Sequence, residues 1–311
     1  MDKTPPVLLL IFNRPDLTEQ VIDRIRQVEP SELFIAADGP RERFPEDDEL
    51  CEEAREVATQ IDWDCEMHTL FRSANLGLKE AVSSAITWFF EHVEAGIILE
   101  DDCVPHHSFF PYCARLLERY QRDTRVSMIS GQNPLGTWKE NESSYHFSNF
   151  GGIWGWATWK DMWNMYEIDE EFRQLDCIWQ VLESALGNNI QVVLRSRGVK
   201  RALSGELESW DYQWFYARLL NHTLAVAPSR NLVTNIGFGE SATHTTQAND
   251  RRQKSSSINF PLISPKVVFP DKVYDREWFL RVRNLHSRSI KNAIKRKKIE
   301  AEYYLHKMCR G

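Results

Sequence analysis

Hydrophobic residues in the first hundred positions alternate between two periods. Val7-Leu8-Leu9-Leu10-Ile11-Phe12 is a continuous apolar run, the pattern of a parallel strand buried on both faces. Asn13 can cap a following helix whose early turn holds Pro15, where the missing N–H costs little. Leu17, Val21, Ile22, Ile25 and Val28 give that helix one apolar stripe. Leu33-Phe34-Ile35-Ala36-Ala37 reads as a second strand, closed by the turn signal Asp38-Gly39-Pro40. An acidic stretch over residues 46–56 predicts a solvated helix, and residues 67–71 a short third strand. Leu78, Ala81, Val82, Ala85, Ile86 and Phe89 recur at helical spacing, and Ile97-Ile98-Leu99 is a fourth strand that stops at Glu100-Asp101-Asp102.

Four strand–helix alternations predict an α/β fold with a mostly parallel central sheet flanked by helices and joined by right-handed crossovers. Ligands on such sheets gather at the carboxyl ends of the strands. Asn13-Arg14, Asp38-Gly39, residues 72–75 and residues 100–102 therefore become neighbours. After Val126-Ser127-Met128-Ile129 the pattern loses regularity and gains Trp and Gly. Residues 1–250 are expected to form one unit, with 1–130 as one half and 131–245 as the half carrying a second substrate. Residues 251–311 are then a loop and a basic helical extension, with a polar, mobile loop over 248–257. No internal repeat is present.

Composition changes this picture in three places. No apolar run approaches the roughly 18 residues that span a bilayer, and Lys3 followed by prolines does not read as a signal peptide, so a cytoplasmic location is expected. The six cysteines form no C-x-x-C pair, which indicates neither a zinc knuckle nor a redox motif. The net charge of −7 is split: residues 276–311 carry 11 Lys/Arg against 3 Asp/Glu, which leaves −15 for residues 1–275. An acidic body argues against nucleic acid as the partner. In the basic tail Arg288, Lys291, Lys295 and Lys298 recur along one side, with Ile290, Ile294, Ala301 and Leu305 at or near another. That arrangement predicts peripheral contact with an anionic membrane; a solvated helix packed on the acidic body explains the same charges.

Three acids directly after an apolar strand cannot be buried unpaired, so they must face solvent or a cation. Hard oxygen ligands suit Mn²⁺ or Mg²⁺ bound together with substrate phosphates. No G-x-x-x-x-G-K-[ST] or G-x-G-x-x-G loop follows the first strand, which excludes a P-loop and argues against a dinucleotide-binding domain. A diphosphate held without such a cradle needs other neutralisation, and a divalent ion on Asp102 would supply it. Sugar rings stack on aromatic faces, and the Gly-flanked Trp154 and Trp156 are expected near the site, with Trp159 and Trp163 in the core. Gly151 and Gly152 suit a backbone that must approach a ligand closely.

In order along the chain, Phe12-Asn13-Arg14-Pro15, Ala37-Asp38-Gly39, Asn75-Leu76-Gly77-Leu78, Ile98-Leu99-Glu100-Asp101-Asp102, Gly151-Gly152-Ile153-Trp154-Gly155-Trp156 and Glu208-Ser209-Trp210-Asp211 resemble the GT-A glycosyltransferases. The likeness is to their inverting family 2-like and N-acetylglucosaminyltransferase I-like branches, over roughly residues 5–245. It implies the fold of the nucleotide-diphospho-sugar transferases, a nucleotide-diphosphate-sugar donor and a glycan or lipid-linked acceptor. It also implies roles. Arg14 and Asp38 would contact the nucleoside or its phosphates, Asn75 and Gly77 the donor, and Asp101 the ribose; Asp102 would bind metal, with His244 as a further ligand. Gly152, Trp154, Trp156, Glu208 and Trp210 would face the acceptor. Asp211 matches the base that deprotonates the acceptor hydroxyl, a role that a carboxylate kept ionised by a helix N-terminus can fill; a helix cap is the alternative. For His244, in a loop of small residues, plain exposure is the alternative. The Q-x-x-R-W element of processive family 2 synthases is absent, which implies addition of a single sugar in surface-glycan synthesis. A nucleotidyltransferase of related fold and a non-catalytic nucleotide-sugar or glycan-binding module are the competing readings.

Overall fold

The computed structural model describes residues 3–237, 254–285 and 290–310. Its first part alternates as the periodicity dictates: β1 (Val7–Ile11), α1 (Pro15–Arg26), β2 (Glu32–Ala37), α2 (Glu46–Thr59), β3 (Glu66–Phe71), α3 (Leu78–His92) and β4 (Ala95–Glu100). There follow β5 (Cys103–Pro105), α4 (Phe109–Tyr120), β6 (Val126–Ser130), β7 (Tyr145–Ser148), β8 (Trp156–Trp159) and α5 (Lys160–Trp163). The chain continues through α6 (Leu175–Leu186), α7 (Asn189–Leu203), α8 (Asp211–Leu220), β9 (Leu224–Pro228), β10 (Val233–Asn235), α9 (Lys272–Val282) and α10 (Ile290–Arg310).

Eight strands form one sheet in the order β3-β2-β1-β4-β8-β6-β9-β7. The first four are mutually parallel, β8 runs antiparallel to both of its neighbours, β9 is parallel to β6, and β7 is antiparallel to β9. β5 and β10 pair as a separate two-stranded ribbon. All five β1 residues are buried, because strands lie on both of its edges and helices cover its faces. The same burial runs through β2, β4 and β6, at about 1.5–3 kcal/mol for each fully buried large aliphatic side chain.

Two local expectations change, and the tail takes one of its two expected placements. α1 starts after Arg14 with no side-chain cap, and the Asn13 amide instead donates to Asp47 Oδ1 at 2.7 Å. Residues 272–282 are no peripheral extension. α9 buries Tyr274, Trp278 and Phe279, and Asp275 anchors it to the end of β7 by accepting from Ser148 Oγ at 2.5 Å and Asn149 Nδ2 at 2.6 Å. The tail helix α10 packs on the body: Ile299 is buried, His306 stacks on Trp179 with centroids 3.7 Å apart, and Lys307 Nζ donates to Glu183 Oε2 at 2.8 Å. Its outward side shows Ile294, Leu305 and Met308. Among the described residues no helix is long and apolar enough to cross a membrane.

Candidate functional site

The carboxyl ends of β1, β2 and β4, together with the start of α3, open on a cleft of about 320 Å³. Its floor is apolar (Leu10, Ala36, Ala81, Val82), and its rim carries Arg14, Arg41, Arg72, Asp38, Asn75, Gly77, Glu100, Asp101 and Glu208. Arg41 lies over the Phe44 ring at 4.0 Å and the Phe12 ring at 5.3 Å, and pairs with the buried Asp47 at 2.6 Å. The grouping expected from strand topology is therefore present, but its internal bonding differs from the expected roles.

Asp38 spends its carboxylate on the opposite loop. Oδ1 accepts from Gly39 N at 2.9 Å and Leu76 N at 3.0 Å, while Oδ2 accepts from Asn75 Nδ2 at 3.0 Å and Gly77 N at 3.2 Å. Asp38 and Asn75 thus shape the wall together. Gly77 has φ 80°, ψ 163°, a region open to glycine alone, and a Cβ there would stand 1.9 Å from Glu208 Oε1. That close approach lets the Glu208 carboxylate reach the first cleft rather than the second.

Arg14 is the half-buried counter-ion of the acidic triplet. Its Nη2 and Nε bind Asp101, the latter at 3.2 Å, and its Nη1 binds Asp102 Oδ2 at 3.0 Å. Asp101 also accepts from Phe12 N at 3.3 Å, and Asp102 Oδ1 from Asn235 Nδ2 at 2.9 Å. Asp101 and Asp102 are 2% and 8% exposed, a burial that the shared guanidinium makes tolerable. Burial pulls the Arg14 pKa down, but Asp101 and Asp102 outweigh it and the net shift is upward. For Glu100, burial and then the charges of Asp102, Asp101 and Asp211 hold the carboxyl well above its usual range.

The residues present fit a substrate-borne divalent ion better than a closed protein site. Among the described residues no three His, Cys, Asp or Glu side chains converge, and Mg²⁺-type sites need only one or two carboxylates plus phosphates. Glu100 Oε1 is buried with no hydrogen-bond partner. Asp38, Glu100, Asp101 and Glu208 face the cleft against three arginines, of which Arg14 and Arg41 are already paired. A diphosphate entering this surplus of carboxylate requires added positive charge. His244 lies outside the described residues.

A second pocket, of about 200 Å³, opens on the other side of the segment 208–211. Gln132, Gly152, Trp154, Asp211, Phe215 and Trp278 line it, with Arg195 and Arg218 behind. Asp211 is the first residue of α8 and makes no cap; its Oδ1 accepts from Ser209 Oγ. Gly152 is required by Gln132, whose Oε1 would stand 2.0 Å from a Cβ at that position. Three acceptor assignments are corrected, the first being Glu208, which lines the first cleft. Trp156 is fully buried and Trp210 is 2% exposed; they stack at 5.8 Å and pack with Trp163 and Trp214 as core. Trp156 is buried because β8 lies mid-sheet, where both faces are covered, and Trp210, just before α8, is buried by stacking on it. Trp159 and Trp163 are core as expected, and Trp154 lines the pocket.

Sequence reasoning placed Arg72 at the cleft as part of the 72–75 strand end but passed over Arg41, Arg195 and Arg218. Arg218 stands between apolar neighbours (Ala217-Arg218-Leu219), while Arg195 is followed by Ser196 and Arg197, and neither pattern by itself marks an inward arginine.

No protein-family model matches the chain, and no curated protein matches it. Among solved structures it is similar to UDP-glucose pyrophosphorylase in complex with UDP-glucose, at 13% sequence identity and a TM-score of 0.27. The alignment covers 48% of this chain and 62% of that one, so this chain spans less than two thirds of that protein.

Proposed function

We propose that the protein is a glycosyltransferase that takes a nucleoside-diphosphate sugar in the first cleft and a hydroxyl acceptor in the second, joining them with inversion. The observation that carries this reading is the segment 208–211, which presents Glu208 to one pocket and Asp211 to its neighbour. Asp211 is near enough to the strand-end acids to raise the Glu100 pKa. A carboxylate facing the acceptor pocket, yet electrostatically in touch with the donor cleft, suits a base.

Asp211 would accept the acceptor's hydroxyl proton as that oxygen bonds to the sugar's anomeric carbon and the bond to the diphosphate breaks. Arg72, with one hydrogen bond to Ser84 Oγ at 2.7 Å, and Arg14 lie where the departing diphosphate charge would develop. Asp102, with Glu100 beside it, would hold Mn²⁺ or Mg²⁺, which neutralises the leaving diphosphate when bound.

The test pairs binding with turnover. Asp211→Asn should lower transfer by roughly 10²–10⁴-fold while nucleoside diphosphate binds as in the wild type. Near wild-type transfer by this variant would reduce Asp211 to a structural residue. Formation of nucleoside triphosphate from nucleotide sugar and pyrophosphate would establish nucleotidyl transfer instead.

A further inference from the structure

The second pocket holds two buried arginines that no carboxylate pairs with directly, although Asp211 acts on Arg195 and Asp275 on Arg218 from a distance. Arg195 on α7 is 7% exposed and Arg218 on α8 is 1% exposed. Among the described residues Arg195 forms no hydrogen bond or ion pair, and its guanidinium lies over the rings of Phe215 at 4.4 Å and Phe150 at 5.1 Å. Arg218 donates one hydrogen bond, from Nη2 to Asn149 O at 3.1 Å, and its Nε and Nη1 have no partner. The nearby carboxylates are engaged elsewhere: Asp275 accepts from Ser148 and Asn149, and Asp211 from Ser209. The adjoining cavity, which shares Arg195 and Asp211, adds Arg283 and Lys295. Burial pulls both inner guanidinium groups down to about 10, so both remain charged at neutral pH.

A buried guanidinium with unpaired N–H groups is costly, and a Leu or Met would fill either position without that cost. Guanidinium forks match carboxylate and phosphate oxygens. A space of about 200 Å³ is smaller than a whole-ligand pocket and suits one charged group with its attached ring, for which Trp154 and Trp278 supply apolar walls.

We propose that Arg195 and Arg218 bind an oxyanion, a carboxylate or phosphate carried by the acceptor, and so set its hydroxyl against Asp211. The description of this anion as part of the acceptor rests on the transferase reading; the anion site itself does not.

Calorimetric titration of the full chain with inorganic phosphate, D-glucuronate and D-glucose tests the site at constant ionic strength. Saturable binding of at least one anion, roughly tenfold or more tighter than glucose, is expected. The tighter of the two anions identifies the source of the charge. Arg218→Met and Arg195→Met should each weaken that anion by roughly tenfold or more, with a Tm equal to or above the wild type because no unpaired donor is left buried. Lys295→Met, at an exposed position, should weaken it by a smaller factor without touching the core. If neither anion binds saturably to the wild type, or if binding survives unchanged in both arginine variants, the site is refuted. Transfer is not part of this readout, so a failed transfer assay leaves the anion site standing, and a failed titration leaves the transferase reading standing.

Discussion

Replacing Asp38 with Ala removes the acceptor that binds the end of β2 to the 75–77 loop. Three backbone donors lose their partner, Gly39 N, Leu76 N and Gly77 N, while Asn75 Nδ2 keeps only its bond to Gly39 O at 2.9 Å. Each bond to an ionised acceptor contributes about 1.5–3 kcal/mol before water competes. Asn75 and Leu76 are exposed, so water re-satisfies part of what is lost. The net destabilisation should then be about 2–3 kcal/mol, a fall in Tm of about 3–5 °C for a chain of this size. The loop matters more than the total, because Gly77 opens α3 and forms the cleft wall against Glu208. Nucleoside-diphosphate affinity should fall at least about tenfold, since one misplaced wall costs the contacts made along it. Asp38→Asn keeps one accepting oxygen and should lose about half as much. Denaturation, calorimetry and hydrogen exchange at the Leu76 and Gly77 amides measure the three effects. If Asp38→Ala leaves exchange at those amides and the Tm unchanged, the carboxylate does not hold the loop and the reasoning fails.

Three further outcomes follow from the geometry. Nucleoside diphosphate should bind with Mn²⁺ and lose most of its affinity in excess chelator, and equal affinity in both conditions would remove the metal from the donor site. His146 is buried with Nε2 unpartnered, and burial, against weaker opposing pull from Asp271, lowers its pKa to about 4. Because the unfolded chain binds the proton first, the wild type should lose up to about 3 kcal/mol between pH 6.5 and 4 that a His146→Gln variant does not lose; parallel curves would refute this. Full-length protein should pellet with anionic vesicles at low salt through the outward face of α10 and stop doing so when Lys291, Lys297 and Lys298 become Glu; equal pelleting by the variant would exclude that face.

The fold of the first hundred residues was legible because burial on both faces writes itself as apolar runs. Val7–Ile11 and the stripe of α3 are fixed by that constraint alone. Residues 156–159 defeated the same logic. Four residues rich in Trp show no period, and their place between two parallel strands is decided by partners 60 residues upstream. The acidic triplet was visible as chemistry, yet its pairing with Arg14 was not, since a guanidinium 87 positions away shares no local pattern with it. Arg195 and Arg218 were hidden by their neighbours: Arg195 beside Ser196 and Arg197, and Arg218 at the end of a helix, both look like solvent-side positions, and only the tertiary fold turns them inward.

The placement of β8 has a consequence for biosynthesis. During synthesis β4 is complete by residue 100 but gains its partner on that side only when residues 156–159 have been made. At about 5–20 residues per second the apolar edge Ile97-Ile98-Leu99 stays unpaired for seconds, longer than a hairpin needs to form. A ribosome stall or a truncation before Trp156 would leave that edge open to strands of other nascent chains. The mid-sheet strand is therefore also what closes the β4 edge, and codon choice across residues 100–160 should govern how much of the protein reaches its folded form.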